Sequence, residues 1–135
     1  MSTTTLHTST DRFSLVRRWI LLDAAFAGVM ALVMTLGAGA LAELFGLSPA
    51  FVRTVGLILV PYAIALTYLW PRVEQYRSLV WVVIAGNLLW AVASAALLLT
   101  SWIDPTGAGI AFILTQAIIV AGFADMQFIG LRRTA

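Results

Sequence analysis

Four long apolar stretches run along the chain, at about 19–41, 51–70, 79–100 and 107–130, and polar residues gather in the short gaps between them. Each holds roughly the 20 residues that an α-helix needs to cross a hydrocarbon core about 30 Å thick. A membrane strand needs only about ten residues and alternates apolar with polar positions. These stretches do not alternate, and they are rich in Ala, Leu, Val and Ile. The pattern predicts an all-α integral membrane protein, an antiparallel four-helix transmembrane bundle formed by residues 15–135. Residues 1–14, rich in Ser and Thr and without apolar periodicity, read as a disordered cytoplasmic tail.

The gaps carry stop and start signals that fit these boundaries. Ser48-Pro49 offers a cap followed by a proline at a first helical position, where its missing N–H is harmless. Pro71 disfavours helical geometry at Trp70 and so ends the second stretch. Asp104-Pro105-Thr106-Gly107 is a turn in which Asp104 or Thr106 is available to cap the last helix. Linkers this short make consecutive helices antiparallel neighbours. Read as a secretory leader, the first stretch would have Ala38-Gly39-Ala40 as its cleavage site, but it exceeds the usual apolar length of about 7–15 residues and contains Asp23. A retained helix is the expectation.

Arginine placement orients the helices. With the N-terminus inside, Arg12, Arg17, Arg18, Arg72, Arg77, Arg132 and Arg133 are cytoplasmic and Arg53 alone lies outside. Both termini are therefore expected on the cytoplasmic side. Aromatic residues follow the same division: Trp19, Tyr68, Trp70, Tyr76 and Trp81 mark the inner interface, and Phe45, Phe51 and Trp102 the outer one.

Composition narrows the chemistry. Hydrophobic residues make up 61% and charged residues 10% of the 135, against roughly 25% charged in a soluble domain, so most of the surface must face lipid. Eight arginines against six acids is too small an excess to suggest nucleic acid. Without Lys there is no Schiff-base chemistry, and without Cys no disulfide, iron–sulfur or thiolate metal site. The single His7 lies in the polar tail and cannot build a metal or haem site by itself. The motifs HExxH, GxSxG and GxxxxGK are absent. Neither an enzyme nor a resident cofactor is expected.

Ionisable and amide groups inside the apolar stretches are the candidates for chemistry, because a charge there costs about 2.5–3.5 kcal/mol even on the gentler insertion scale. Asp23 and Asp125 fall near the cytoplasmic interface by residue count. One reading pairs either acid with Arg18, Arg77 or Arg132 as a fastener between helix ends. The other makes them a proton- or cation-binding vestibule. Asn87 and Gln116 fall near the midplane with Pro61, and are expected to bond each other or Ser94, Thr115 or Tyr62. They read as interhelical glue, or as a polar site beside a proline-loosened helix whose freed carbonyl Asn87 satisfies. The candidate intramembrane site is thus Asp23, Pro61, Tyr62, Asn87, Gln116 and Asp125. Trp90 needs an acceptor for its indole N–H, and Glu43 and Arg53 are expected to form an exposed pair.

The segments Pro61-Tyr62-Ala63, Asn87-Leu88-Leu89-Trp90-Ala91-Val92-Ala93-Ser94, Pro105-Thr106-Gly107 and Gln116-Ala117 resemble those of small four-helix bacterial membrane proteins. In size and topology the chain is also similar to the DoxX-like families. Small multidrug-resistance transporters likewise carry an acid in the first helix, here Asp23, although Asp23 lies nearer the interface. The resemblance implies a multi-pass protein of a bacterial inner membrane. The functional expectation is a non-enzymatic bundle acting by helix association, as a homodimer or an accessory subunit of a larger membrane complex. The alternative is a small proton-linked transporter or channel for a small solute.

Overall fold

A computed structural model describes residues 2–134, with side chains from Arg12 onward. The side chains of the first eleven residues, including His7 and most of the segment read as a disordered tail, lie outside those described. Five α-helices follow one another: α1 (Ser2–Leu36), α2 (Ala38–Phe45), α3 (Pro49–Leu69), α4 (Arg77–Leu97) and α5 (Gly107–Arg132). A 3-10 turn, Trp70–Arg72, ends α3 at Pro71. Four spans, Arg12–Leu36, Pro49–Arg72, Arg77–Leu97 and Gly107–Arg132, are long and apolar enough to cross a membrane. The helix α1 already includes residues 12–14, and Phe13 rests on the core instead of belonging to a free tail.

The first apolar stretch, expected as one helix, is two. Gly37 takes φ −101° and ψ 19° and breaks the helix in the run Gly37-Ala38-Gly39-Ala40, where little side-chain packing holds the axis straight. The short α2 then places Ala38, Ala42 and Phe45 against Val52 and Phe112. Phe45 and Phe112 stack with ring centroids 4.5 Å apart.

Packing follows stripes at helical spacing. On α1 the buried positions include Val16, Ile20, Asp23, Ala27, Ala31 and Met34; on α5 they include Ile113, Ala117, Val120, Ala124, Gln127 and Leu131. Steps of three and four residues put each set on one face. The small members let backbones approach. α1 packs along α3 on one side and α5 on the other, and α4 packs on α5. One core, with Val16, Ile20, Leu66, Leu69, Val80 and Leu131, joins all four long helices toward the end rich in arginine. α3 and α4, although consecutive, make almost no close contact with each other. Toward the opposite end the second core of Met34, Ala38, Ala42 and Val52 joins α1, α2 and α3, with Phe112 of α5 packed against it.

Side chains satisfy the helix ends. The Arg77 guanidinium donates to the Thr134 hydroxyl and, at 3.2 Å, to the Leu131 carbonyl, and Arg12 donates to the Thr134 carbonyl at 2.7 Å. Cations at a helix C-terminus meet both its unpaired carbonyls and its dipole. At the far end Thr106 takes the capping role: its Oγ1 accepts from Gly109 N–H at 3.1 Å and donates to the Leu44 carbonyl at 2.8 Å. One hydroxyl thus ties the start of α5 to the end of α2. Thr106→Val keeps the shape and removes both bonds, and is expected to cost about 1–2 kcal/mol. Thermal unfolding in detergent measures this, and an unchanged midpoint would show that the clasp adds nothing.

Candidate functional site

The buried stripes of α1 and α5 each carry one polar residue, and α4 adds a third after Val80 and Ile84. Asp23 (2% exposed), Asn87 (4%) and Gln127 (0%) meet inside the protein, and Tyr62 of α3 closes the group. Asp23 Oδ2 accepts from Asn87 Nδ2 at 2.8 Å, Gln127 Nε2 at 2.9 Å and the Tyr62 hydroxyl at 3.2 Å. Asn87 Nδ2 also donates to Gln127 Oε1 at 3.2 Å, and its Oδ1 accepts from Tyr62 at 2.7 Å. Turning the Asn87 amide over would set its oxygen against the Asp23 carboxylate and the Gln127 carbonyl, so the acceptors fix its orientation.

Two features of this cluster bear on chemistry. All three contacts to Asp23 converge on Oδ2, and Oδ1 takes none of them. A proton or a ligand donor can therefore add at Oδ1 without breaking a bond. The Tyr62 hydroxyl, moreover, has one proton and two acceptors in reach, Asn87 Oδ1 and Asp23 Oδ2. It can bond Asn87 or turn to the carboxylate as the charge on Asp23 requires.

Asp23 forms no ion pair among the described residues. Arg77 is committed to the end of α5, Arg17 pairs with Glu74 at 3.5 Å, and Arg18 and Arg132 are exposed. The fastener to Arg18, Arg77 or Arg132 is thus not what holds Asp23. The reason is level. Arg12 and Arg77 both reach Thr134, so they mark one end of the protein. Asp23 lies eleven residues past Arg12 and Asn87 ten past Arg77, about 16 and 15 Å along their helices.

The remaining candidates fall elsewhere. Gln116 does not reach Asn87; its Oε1 accepts from the Trp90 indole at 3.0 Å and its Nε2 donates to the Ile113 carbonyl at 2.8 Å. Ser94 donates to the Trp90 carbonyl at 2.7 Å. Asp125 and Pro61 are exposed, on the outward faces of α5 and α3, and Asn87 does not serve a carbonyl freed by Pro61. Glu43 and Arg53 are also exposed, and no ion pair joins them among the described residues. Gln127 was the residue missed. Its signal was its place seven residues after Val120 and four before Leu131, on the buried stripe of α5 that Gln116 and Asp125 avoid.

Above the cluster lies a cavity of about 750 Å³, within the range of sites that enclose small organic ligands. Asp23, Tyr62, Asn87 and Gln116 are among its polar lining residues; Met30, Val55 and Phe112 belong to its apolar wall. Ile58 of α3 and Gly86, Ala93 and Ala96 of α4 line it and are also exposed, so they form its mouth. The mouth lies between α3 and α4, which are not packed against each other. It stays open because α4 presents Gly and Ala there, too small to fill the gap. Among the described residues no group of His, Cys, Asp and Glu is arranged to hold a metal ion.

Comparison with known proteins finds no match for the chain among family models, curated proteins or solved structures.

Proposed function

We propose that this is a small carrier for a lipophilic solute, an antiparallel four-helix bundle with both termini cytoplasmic in a bacterial inner membrane. The orientation rests on the arginine distribution, with Arg53 as the outward exception. The observation that carries the function is the open cavity ending on a buried carboxylate with an unused oxygen. This favours the carrier over action by helix association alone, because it supplies a place where a molecule can sit. Proton linkage follows from the same cluster: Asp23 has room for a proton at Oδ1, and Tyr62 can switch acceptors in response. A solute that enters between α3 and α4 comes from within the bilayer, which suits a wall of only four helices.

The test uses proteoliposomes loaded with a pH-sensitive dye and nanodiscs titrated with N-phenyl-1-naphthylamine, an apolar fluorescent probe. Saturable probe binding is expected in the native protein and should disappear in Ala93→Trp, which fills the mouth from the α4 side. Protein-dependent proton movement under an imposed gradient should be lost in Asp23→Asn. Absence of saturable binding would remove the cavity from the account, and unchanged proton movement would remove Asp23.

A further inference from the structure

Inside a bilayer an apolar wall discriminates little between one ligand and another, because lipid chains are as apolar as Leu. Selectivity at the α3–α4 cavity must come from what an acyl chain cannot offer. Here that is a donor for Asp23 Oδ1, the carboxylate oxygen that none of the three cluster bonds uses. The carboxylate is 2% exposed and has no cationic partner among the described residues. Its surroundings supply neutral donors and nothing that balances its charge. A buried carboxylate without a counter-ion is the costly state, and a bound cation would relieve it.

We infer that the cavity binds a lipophilic amine, with its ammonium on Asp23 and its apolar body between α3 and α4. The inference rests on the carrier reading and names its class of cargo. Rings strengthen it. Phe26 stands one turn beyond Asp23 on α1, Trp90 one turn beyond Asn87 on α4, and both line the cavity with Tyr62. Aromatic side chains around a single carboxylate suit an ammonium group, which the ring faces attract when water is excluded. The same wall argues against an aminophospholipid, because no arginine lines the cavity to take a phosphate. A neutral alcohol could also donate to Oδ1, but a charge-assisted bond is roughly twice as strong.

Radiolabelled dodecylamine and dodecanol, which share one apolar body, are compared for saturable binding to the protein in phosphatidylcholine nanodiscs near pH 7. Dodecylamine should bind on the order of tenfold to a hundredfold more tightly. Asp23→Asn should abolish that preference while dodecanol still binds, and Ala93→Trp should weaken both. The ratio measured on the native protein is decisive whether or not the Asp23 variant folds. Equal affinities, both lost in Ala93→Trp, would overturn the amine assignment and leave the carrier standing. No saturable binding of either would overturn both. Displacement of dodecylamine by phosphatidylethanolamine added to the nanodisc would overturn the free amine in favour of a membrane lipid.

Discussion

Asn87→Leu is expected to destabilise the folded protein by about 2–4 kcal/mol, well above the average of about 0.6 for an interhelical hydrogen bond in a membrane. The excess comes from the acceptor. Asn87 donates to a buried carboxylate and to Gln127 Oε1, and accepts from Tyr62, so its loss strips the acid of one donor and leaves a buried amide oxygen unpaired. Asp23→Leu should cost less, about 1 kcal/mol, because the neutral groups can still serve one another. Tyr62 bonds Asn87, Asn87 bonds Gln127, and Gln127 reaches the Trp19 carbonyl at 3.4 Å. Equilibrium unfolding in mixed micelles compares the two. The order separates two roles for Asp23. A carboxylate kept for packing should be costly to remove, whereas one kept to meet a proton or a ligand should be cheap to remove and costly to leave with fewer donors. If Asp23→Leu proves the more damaging variant, the cluster is a structural fastener and the carrier loses its carboxylate.

How far the chain could be read in advance depends on which level of structure is asked about. Four spans, the cap at Ser48 and the cap at Thr106 follow from apolar run length and from residues that act within one turn, so they were legible. The break at Gly37 was not, because glycine and alanine are tolerated in a membrane helix as readily as at its end; α2 owes its direction to Phe45 meeting Phe112, sixty-seven residues away. The site was half legible. Asp23, Tyr62 and Asn87 stand out as polar groups in apolar surroundings, but depth alone grouped Asn87 with Gln116. Helical phase decides instead: Gln127 lies on the buried stripe of α5, while Asp125, two residues earlier, points outward. The cavity could not be read at all, since it lies between α3 and α4, which follow each other in the chain without packing together, and Gly86, Ala93 and Ala96 look the same in a sequence whether they bring helices together or leave a gap.

Substitutions at glycine distinguish those two uses. Gly109→Ala should cost about 3 kcal/mol or more, at the top of the range for overpacking. An added Cβ would collide with the Phe45 carbonyl oxygen and lie 2.9 Å from Pro105 Cβ, and the first of these is backbone that cannot rotate away. Relief would require α5 to move off the end of α2, breaking the Thr106 clasp and disturbing the Phe45–Phe112 stack. Gly130→Ala meets Val16 N at 2.8 Å and should also be costly, but it strains the contact between α1 and α5 near the arginine-rich end. Gly86→Ala has nothing within 4 Å and should stabilise the protein by up to about 1 kcal/mol through helix propensity alone. Thermal unfolding of the three variants in one detergent gives the comparison. Because Gly86 sits at the mouth, its substitution also adds a methyl where a ligand would pass. A gain in stability together with weaker probe binding would mean that the open edge of α4 is maintained against the folding preference of the helix, which is what a working cavity requires. Gain in stability without any change in binding would place the entrance elsewhere, nearer Ala93 and Ala96.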